Sequence, residues 1–174
     1  TEFFLKELIA KLLSQISILR ASAVLCVSEG LRRKMWWRRG IASVIPFGVD
    51  LSKYVVIERN EARKKLGLSP QRELVLFNNN SPVKRVDLAS AAIEQLRGKG
   101  KDIELIALSG GVAFEEMLLL LNACDCLLLC SDSEGSPVLV KEAMACNLPI
   151  VSTDVGDVKW VIEGTSPAII VRQE

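Results

Sequence analysis

Two glutamates, Glu134 and Glu142, stand with seven residues between them in the run SDSEGSPVLVKEAMACNLPIVSTDVG, Ser131 to Gly156. Strand-like residues from Cys126 to Ser131 come just before, followed by a Gly-Ser-Pro turn and the helix formers VLVKEAMA. A strand-to-helix turn of this kind is a natural phosphate site, because free N–H groups and the positive end of the helix dipole face the incoming anion. Ser136 is expected to cap the helix, Pro137 suits its first turn, and Gly135 lets a ligand approach the backbone. The carboxylates, being acceptor-only when ionised, suit vicinal hydroxyls.

Cations are expected on the same edge. Lys84 and Arg85 follow the loop Asn78-Asn79-Asn80-Ser81-Pro82, which leaves the predicted strand Glu73 to Asn78 at its carboxyl end. An anion at such an edge is stabilised either by a metal held on carboxylates or by cationic side chains and backbone dipoles. This chain favours the second solution. Asp132 and Glu134 have the spacing of a metal-binding acidic pair, but so do many solvated loops, and no metal is expected. Taken singly, each residue has a blander reading: Glu142 as a solvated helix residue, Lys84 as a surface lysine, Glu134 as a first-turn acid worth ~0.3–1 kcal/mol.

The elements that must position these groups alternate. Apolar or β-branched runs at residues 23–27, 42–46, 73–78, 103–108, 126–131, 149–152 and 168–171 read as strands, and their continuous apolarity points to parallel strands buried on both faces. Helical patterns at 29–38, 60–66, 84–97, 113–123, 138–146 and 158–163 separate most of them. The expected fold is α/β, a doubly wound parallel sheet with right-handed crossovers. Residues 47–54, punctuated by Pro46, Gly48 and Asp50, form the expected boundary.

The phrase EGSPVLVKEAMACNLPIVSTDVGDV resembles the E-x7-E signature of retaining GT-B glycosyltransferases of family 4, and looks closest to the teichuronic-acid type of polysaccharide transferase. SVIPFGVDL (Ser43 to Leu51) is similar to that family's interdomain linker, and PVKRVDL (Pro82 to Leu88) to its donor-phosphate loop. The resemblance implies the Rossmann-like C-terminal half of a GT-B fold: residues 1–46 a remnant of the N-terminal half, 47–58 the linker, and 59–174 a truncated nucleotide-sugar donor domain. Lys84 would bind the donor pyrophosphate. Glu134 would meet donor-sugar hydroxyls, with the N–H groups of Gly135 and Ser136 on sugar or phosphate, and Glu142 would take the ribose. Lys84 and Glu134 are thus the expected catalytic residues. The donor site comprises Asn79, Asn80, Lys84, Arg85, Glu134, Gly135, Ser136, Pro137, Val138 and Glu142. Retention by same-face attack needs neither glutamate as nucleophile, and a glycosidase-type carboxylate pair is the competing chemistry.

Two positions depart from the family pattern. Many relatives carry Gly-Arg near Asn78 and Asn79, so one cation is missing, which Arg85 or the asparagines would have to replace. Asn147 stands where relatives have glycine, and asparagine tolerates a left-handed cap. No cofactor is implied beyond the nucleotide-sugar substrate, with UDP favoured. The acceptor, a saccharide or lipid-linked saccharide, would be met by the missing N-terminal half, so this chain is expected to bind donor without turnover. The end at Glu174 is expected to fall before helices that cross back in the family.

Composition fits one soluble globular domain: 174 residues, 49% hydrophobic, 25% charged, net charge +1, which gives no electrostatic reason for nucleic acid as a partner. Five cysteines, Cys26, Cys124, Cys126, Cys130 and Cys146, with no CxxC and no histidine, read as buried free thiols of a reducing cytoplasm. No signal peptide or membrane span is evident. A first helix over residues 3–19 carries one apolar face, Phe4, Leu5, Leu8, Ile9, Leu12, Leu13, Ile16 and Leu19. Its expected cover is this domain, a second copy or a membrane. Arg32, Arg33, Lys34, Trp36, Trp37, Arg38 and Arg39 read either as a membrane-interface helix, peripheral at the inner face, or as tryptophans covering core beneath wet arginines. The alternatives are a non-catalytic sugar-nucleotide or interaction module and a GT-B-type epimerase. The epimerase is disfavoured by the lack of histidine, and a phosphoacceptor receiver by the lack of clustered aspartates.

Overall fold

The computed structural model describes residues 2–171, without the side chains of residues 2–4 and 7. The Phe4 side chain and the chain end at Glu174 therefore lie outside the described residues. The chain divides after Phe47 into two compact units.

In the first unit α1 (Glu2–Arg20) is followed by β1 (Val24–Cys26), α2 (Glu29–Arg33) and β2 (Ala42–Val44), with β1 and β2 parallel. Ser28 caps α2, its hydroxyl accepting from the Leu31 N–H at 3.3 Å. Ile18, Cys26 and Met35 form a small core. The predicted helix over 29–38 is half as long as expected. It stops at Arg33, and Arg38 adopts a left-handed φ of 53° before a 3-10 turn at Arg39–Ile41. Tertiary bonds explain this. The Trp37 indole N–H donates to the Gln15 carbonyl at 3.0 Å, and the Arg38 guanidinium caps α1 through the Ile18 and Leu19 carbonyls at 2.8 and 2.6 Å. The basic-aromatic cluster is thus a bent segment, with Trp37 half-buried and Trp36 exposed.

The second unit holds α3 (Arg59–Leu66), β3 (Glu73–Asn78), α4 (Val86–Gly98), β4 (Ile103–Leu108), α5 (Phe114–Ala123), β5 (Cys126–Leu129), α6 (Val138–Ala145), β6 (Ile150–Thr153), α7 (Val158–Ile162) and β7 (Ala168–Val171). The strands form one sheet in the order β4-β3-β5-β6-β7, every pair parallel. Alternate residues of β3 serve opposite faces. Leu74 and Leu76 join α5, α6 and α7 in the larger core, and Val75 packs with Ile93 of α4 and Ile103. The sheet is covered on both sides, which is the doubly wound arrangement and the reason its strands read as unbroken apolar runs. The predicted helix over 84–97 is interrupted: Pro82–Lys84 forms a 3-10 turn capped by Ser81, and Arg85 at φ 58° separates it from α4.

The cysteine expectation is partly corrected. All five are free, but only Cys26, Cys124 and Cys146 are buried, and Cys126 and Cys130 are half-buried. Burial pushes the Cys124 thiol up to about 12 and Cys126 to about 11.

Candidate functional site

Strand order reverses at β3, which lies between β4 and β5, and open α/β sheets bind ligands in the crevice outside the strand ends at such a switch point. The loop after β3 and the loop after β5 meet there, joined by the Asp132 N–H donating to the Val83 carbonyl at 3.0 Å. A cavity of about 300 Å³ opens beside them. Its lining includes Asn78, Asn80 and Lys84 from the β3 loop, Gly110 and Gly111 after β4, and Pro137, Val138 and Glu142 of α6.

Lys84 and Glu134, from loops fifty residues apart, touch: the ammonium lies 2.5 Å from Glu134 Oε1, and the Ser131 hydroxyl donates to the same oxygen at 2.7 Å. Both side chains are largely buried, 14% and 13% exposed, so the pair is shielded from salt. An ammonium carries three donors, so pairing with one carboxylate oxygen leaves it able to hold an oxyanion as well.

Helix α6 begins at Val138 after Pro137 at its N-cap, with no side chain capping it. The expected cap, Ser136, is turned elsewhere: its hydroxyl donates to Asp157 Oδ2 at 2.7 Å. Proline at the N-cap position supplies the required extended backbone without a side-chain acceptor, leaving the first-turn N–H groups and the helix dipole toward the edge where the cavity lies. Asn147, at φ 55°, closes the other end in the left-handed conformation expected of it.

Glu142, one turn into α6, lines the cavity and accepts from the Tyr54 phenol at 2.5 Å. Burial, then this hydrogen bond, raises the Tyr54 pKa well above its ordinary value, so it remains a donor. Its ring packs edge-on against Phe114.

The remaining expected residues are distributed differently. The Arg85 guanidinium binds Asp87 at 2.9 Å and Asp132 at 2.9 Å, which raises its pKa and lowers that of Asp87. The Asn79 N–H extends the β3–β4 ladder to the Leu108 carbonyl at 2.7 Å, and its side chain is not part of the lining. Glu134, Gly135 and Ser136 are not among the residues that line the cavity. Tyr54, Ser131, Lys141 and Asp157 were missed by sequence reasoning. Among the described residues no group of three or more His, Cys, Asp or Glu side chains could hold a metal ion.

One cation, Lys84, one lining carboxylate, Glu142, and an uncapped helix start around one crevice suit a ligand bearing both anionic and hydroxyl groups. Comparison with solved structures bears on the fold, which is Rossmann-like α/β and matches that of GT-B glycosyltransferases. The chain superposes on the sucrose-phosphate synthase of Thermosynechococcus elongatus with TM-score 0.71 at 18% identity, covering 93% of this chain and 48% of that one. On Anabaena HepE in complex with UDP and glucose it scores 0.63 at 19% identity, covering 87% and 50%. Residues 89–174, just under half of the chain, match the family model of glycosyl transferases group 1. Over 155 residues the chain is 34% identical to TuaC of Bacillus subtilis (strain 168), a protein named for teichuronic acid biosynthesis as a glycosyltransferase, covering 79% of this chain and 40% of TuaC. It is 30% identical to the D-inositol 3-phosphate glycosyltransferase of Nocardia farcinica over 161 residues, covering 74% and 36%. The chain thus spans well under half the length of these relatives.

Proposed function

We propose that this chain is the donor-binding part of a retaining, metal-independent glycosyltransferase that moves a sugar from a nucleotide diphosphate, UDP being favoured, to a saccharide or lipid-linked acceptor. One observation carries the reading: Lys84, paired with Glu134, stands at the crevice edge where α6 begins without a side-chain cap and Glu142 lines the cavity. In this reading the Lys84 ammonium and the α6 N-terminus hold the diphosphate and stabilise the charge it gains as the sugar leaves. Glu134, tied to Lys84, accepts from donor-sugar hydroxyls. Glu142 uses the oxygen that Tyr54 leaves open to accept from ribose. A glycosidase-type pair is disfavoured by these commitments, since both carboxylates already hold fixed partners. Support also comes from HepE, whose structures were determined with UDP and with UDP-glucose. The setting proposed is cytoplasmic, with peripheral contact at the inner membrane face, and acceptor binding falls to residues outside this chain.

Calorimetric titration with UDP, GDP and ADP tests the reading. Saturable binding of one diphosphate is expected, lost in a Lys84→Ala, Glu142→Ala double variant that stays folded. Equal binding by the double variant would refute the site assignment. A folded chain that binds none would instead be a non-catalytic interaction module.

A further inference from the structure

Behind the cavity, α6 and the turn between β6 and α7 share a second buried cluster. The Ser136 hydroxyl donates to Asp157 Oδ2 at 2.7 Å, and the Lys141 ammonium contacts that same oxygen at 3.1 Å as well as the Ser136 hydroxyl oxygen. The side chains of Lys141 and Asp157 are 12% and 7% exposed, and Asp157 Oδ1 has no hydrogen-bond partner among the described residues. The two charges cancel, so the cluster adds little net charge to the crevice.

The backbones meet at the same place. Gly156 has φ 61°, and a Cβ built on it would lie 2.7 Å from the Gly135 carbonyl oxygen. No L residue fits there without displacing the Glu134–Gly135 backbone. Two independent contacts, one of backbone against backbone and one of buried polar side chains, therefore fix the turn that carries Glu134 to a turn contributed by another strand.

We propose that Lys141, Asp157 and Gly156 are positioning residues for the Glu134–Ser136 turn, so that the β6–α7 turn governs how well the chain holds the diphosphate end of a donor. The proposal rests on the donor-site reading. Lys141 and Asp157 do not line the cavity and act through Ser136. The Ser136 hydroxyl is spent on this tie, which accounts for the helix start being left without its expected cap.

Ser136→Ala tests this most cleanly, because it removes one hydroxyl and leaves the Lys141–Asp157 pair in place. Gly156→Ala perturbs the same turn from the other side, and if that variant does not fold, Ser136→Ala still carries the test. Backbone order parameters at Gly135 and position 136, measured by NMR without ligand, should fall in Ser136→Ala. Unchanged order there would overturn the proposal whatever the chain binds. Of UDP, GDP and ADP, the one that wild type binds should bind about tenfold more weakly, as for loss of a buried hydrogen bond of ~1.4 kcal/mol. The matching nucleoside should bind unchanged. Equal losses for nucleoside and diphosphate, or no loss, would overturn the proposal, since a merely structural tie does not separate them. Wild type binding no diphosphate would defeat the donor reading and the inference with it, an outcome distinguished by the wild-type titration itself.

Discussion

At the scale of single residues, Tyr54 and Glu142 show how the site is tuned by a partner far away in sequence. The phenol donates to the carboxylate at 2.5 Å, and burial with this hydrogen bond raises its pKa. A raised phenol pKa favours the neutral donor in the fold. Its contribution is therefore complete below the unfolded phenol's value near ~10 and is lost as pH rises through the folded value. Tyr54→Phe should cost about 1 kcal/mol, toward the lower end for a bond to a charged group because the ring is only partly buried. Urea unfolding should show the midpoint shifted at unchanged slope, by the same amount at pH 6 and pH 9; a cost that varies between those values would contradict this account. That Lys84, Glu134 and Glu142 gather at one edge of the sheet was legible because each lies in a local phrase beside a strand end. Tyr54 was not, because nothing in a linker tyrosine reveals a partner 88 residues away. Ser136 was misread for a related reason: the local capping rule competes with Asp157, and the tertiary partner wins.

Among elements, the strands of the second unit were readable because burial on both faces demands apolar residues at every position, as along Leu74, Val75, Leu76 and Phe77. The breaks at Arg38 and Arg85 were not, since each arginine enters the left-handed region to satisfy carbonyls or carboxylates brought by other segments. Arginine also anchors α3. The Arg63 guanidinium, its side chain 4% exposed, donates to the Ala123 carbonyl at 2.8 Å, the Pro70 carbonyl at 2.8 Å and Asp125 at 2.7 Å. Asp125 in turn accepts from the Leu74 N–H at the start of β3. This clasp joins α3, the end of α5 and the sheet at the edge opposite the crevice. Arg63→Ala should cost about 3–5 kcal/mol, the range for removing one partner of a buried, hydrogen-bonded pair. Denaturant unfolding is the measurement, and because the clasp is remote from the cavity, nucleotide affinity of the folded variant should be unchanged. A loss below about 1 kcal/mol would mean that water replaces the guanidinium, as it does at exposed pairs.

For the whole molecule, the open matter is what covers the first unit. No helix of the described residues is long and apolar enough to cross a membrane. Yet Leu5, Leu8, Ile9, Leu12, Leu13, Ile16 and Leu19 of α1 are all exposed, and Trp36 is 55% exposed beside Arg33 and Lys34. Exposed apolar surface on that scale marks an interaction face. Apolar residues with a tryptophan and neighbouring cations have the composition of an interfacial binder, which supports peripheral contact with an anionic membrane. Mixed with vesicles containing phosphatidylglycerol, the chain should co-sediment and its tryptophan emission should shift to the blue. Neutral vesicles, or about 0.5 M salt, should weaken both effects, because the cationic part of the attraction is screened over a few ångströms at that ionic strength. Trp36→Phe should remove most of the spectral shift while leaving co-sedimentation largely intact, since the α1 residues still supply apolar area. A chain that ignores vesicles but sediments as a dimer would assign the α1 face to a second copy. A monomer that ignores them would leave it as a surface covered by some other protein segment, and the membrane contact proposed for this protein would be withdrawn.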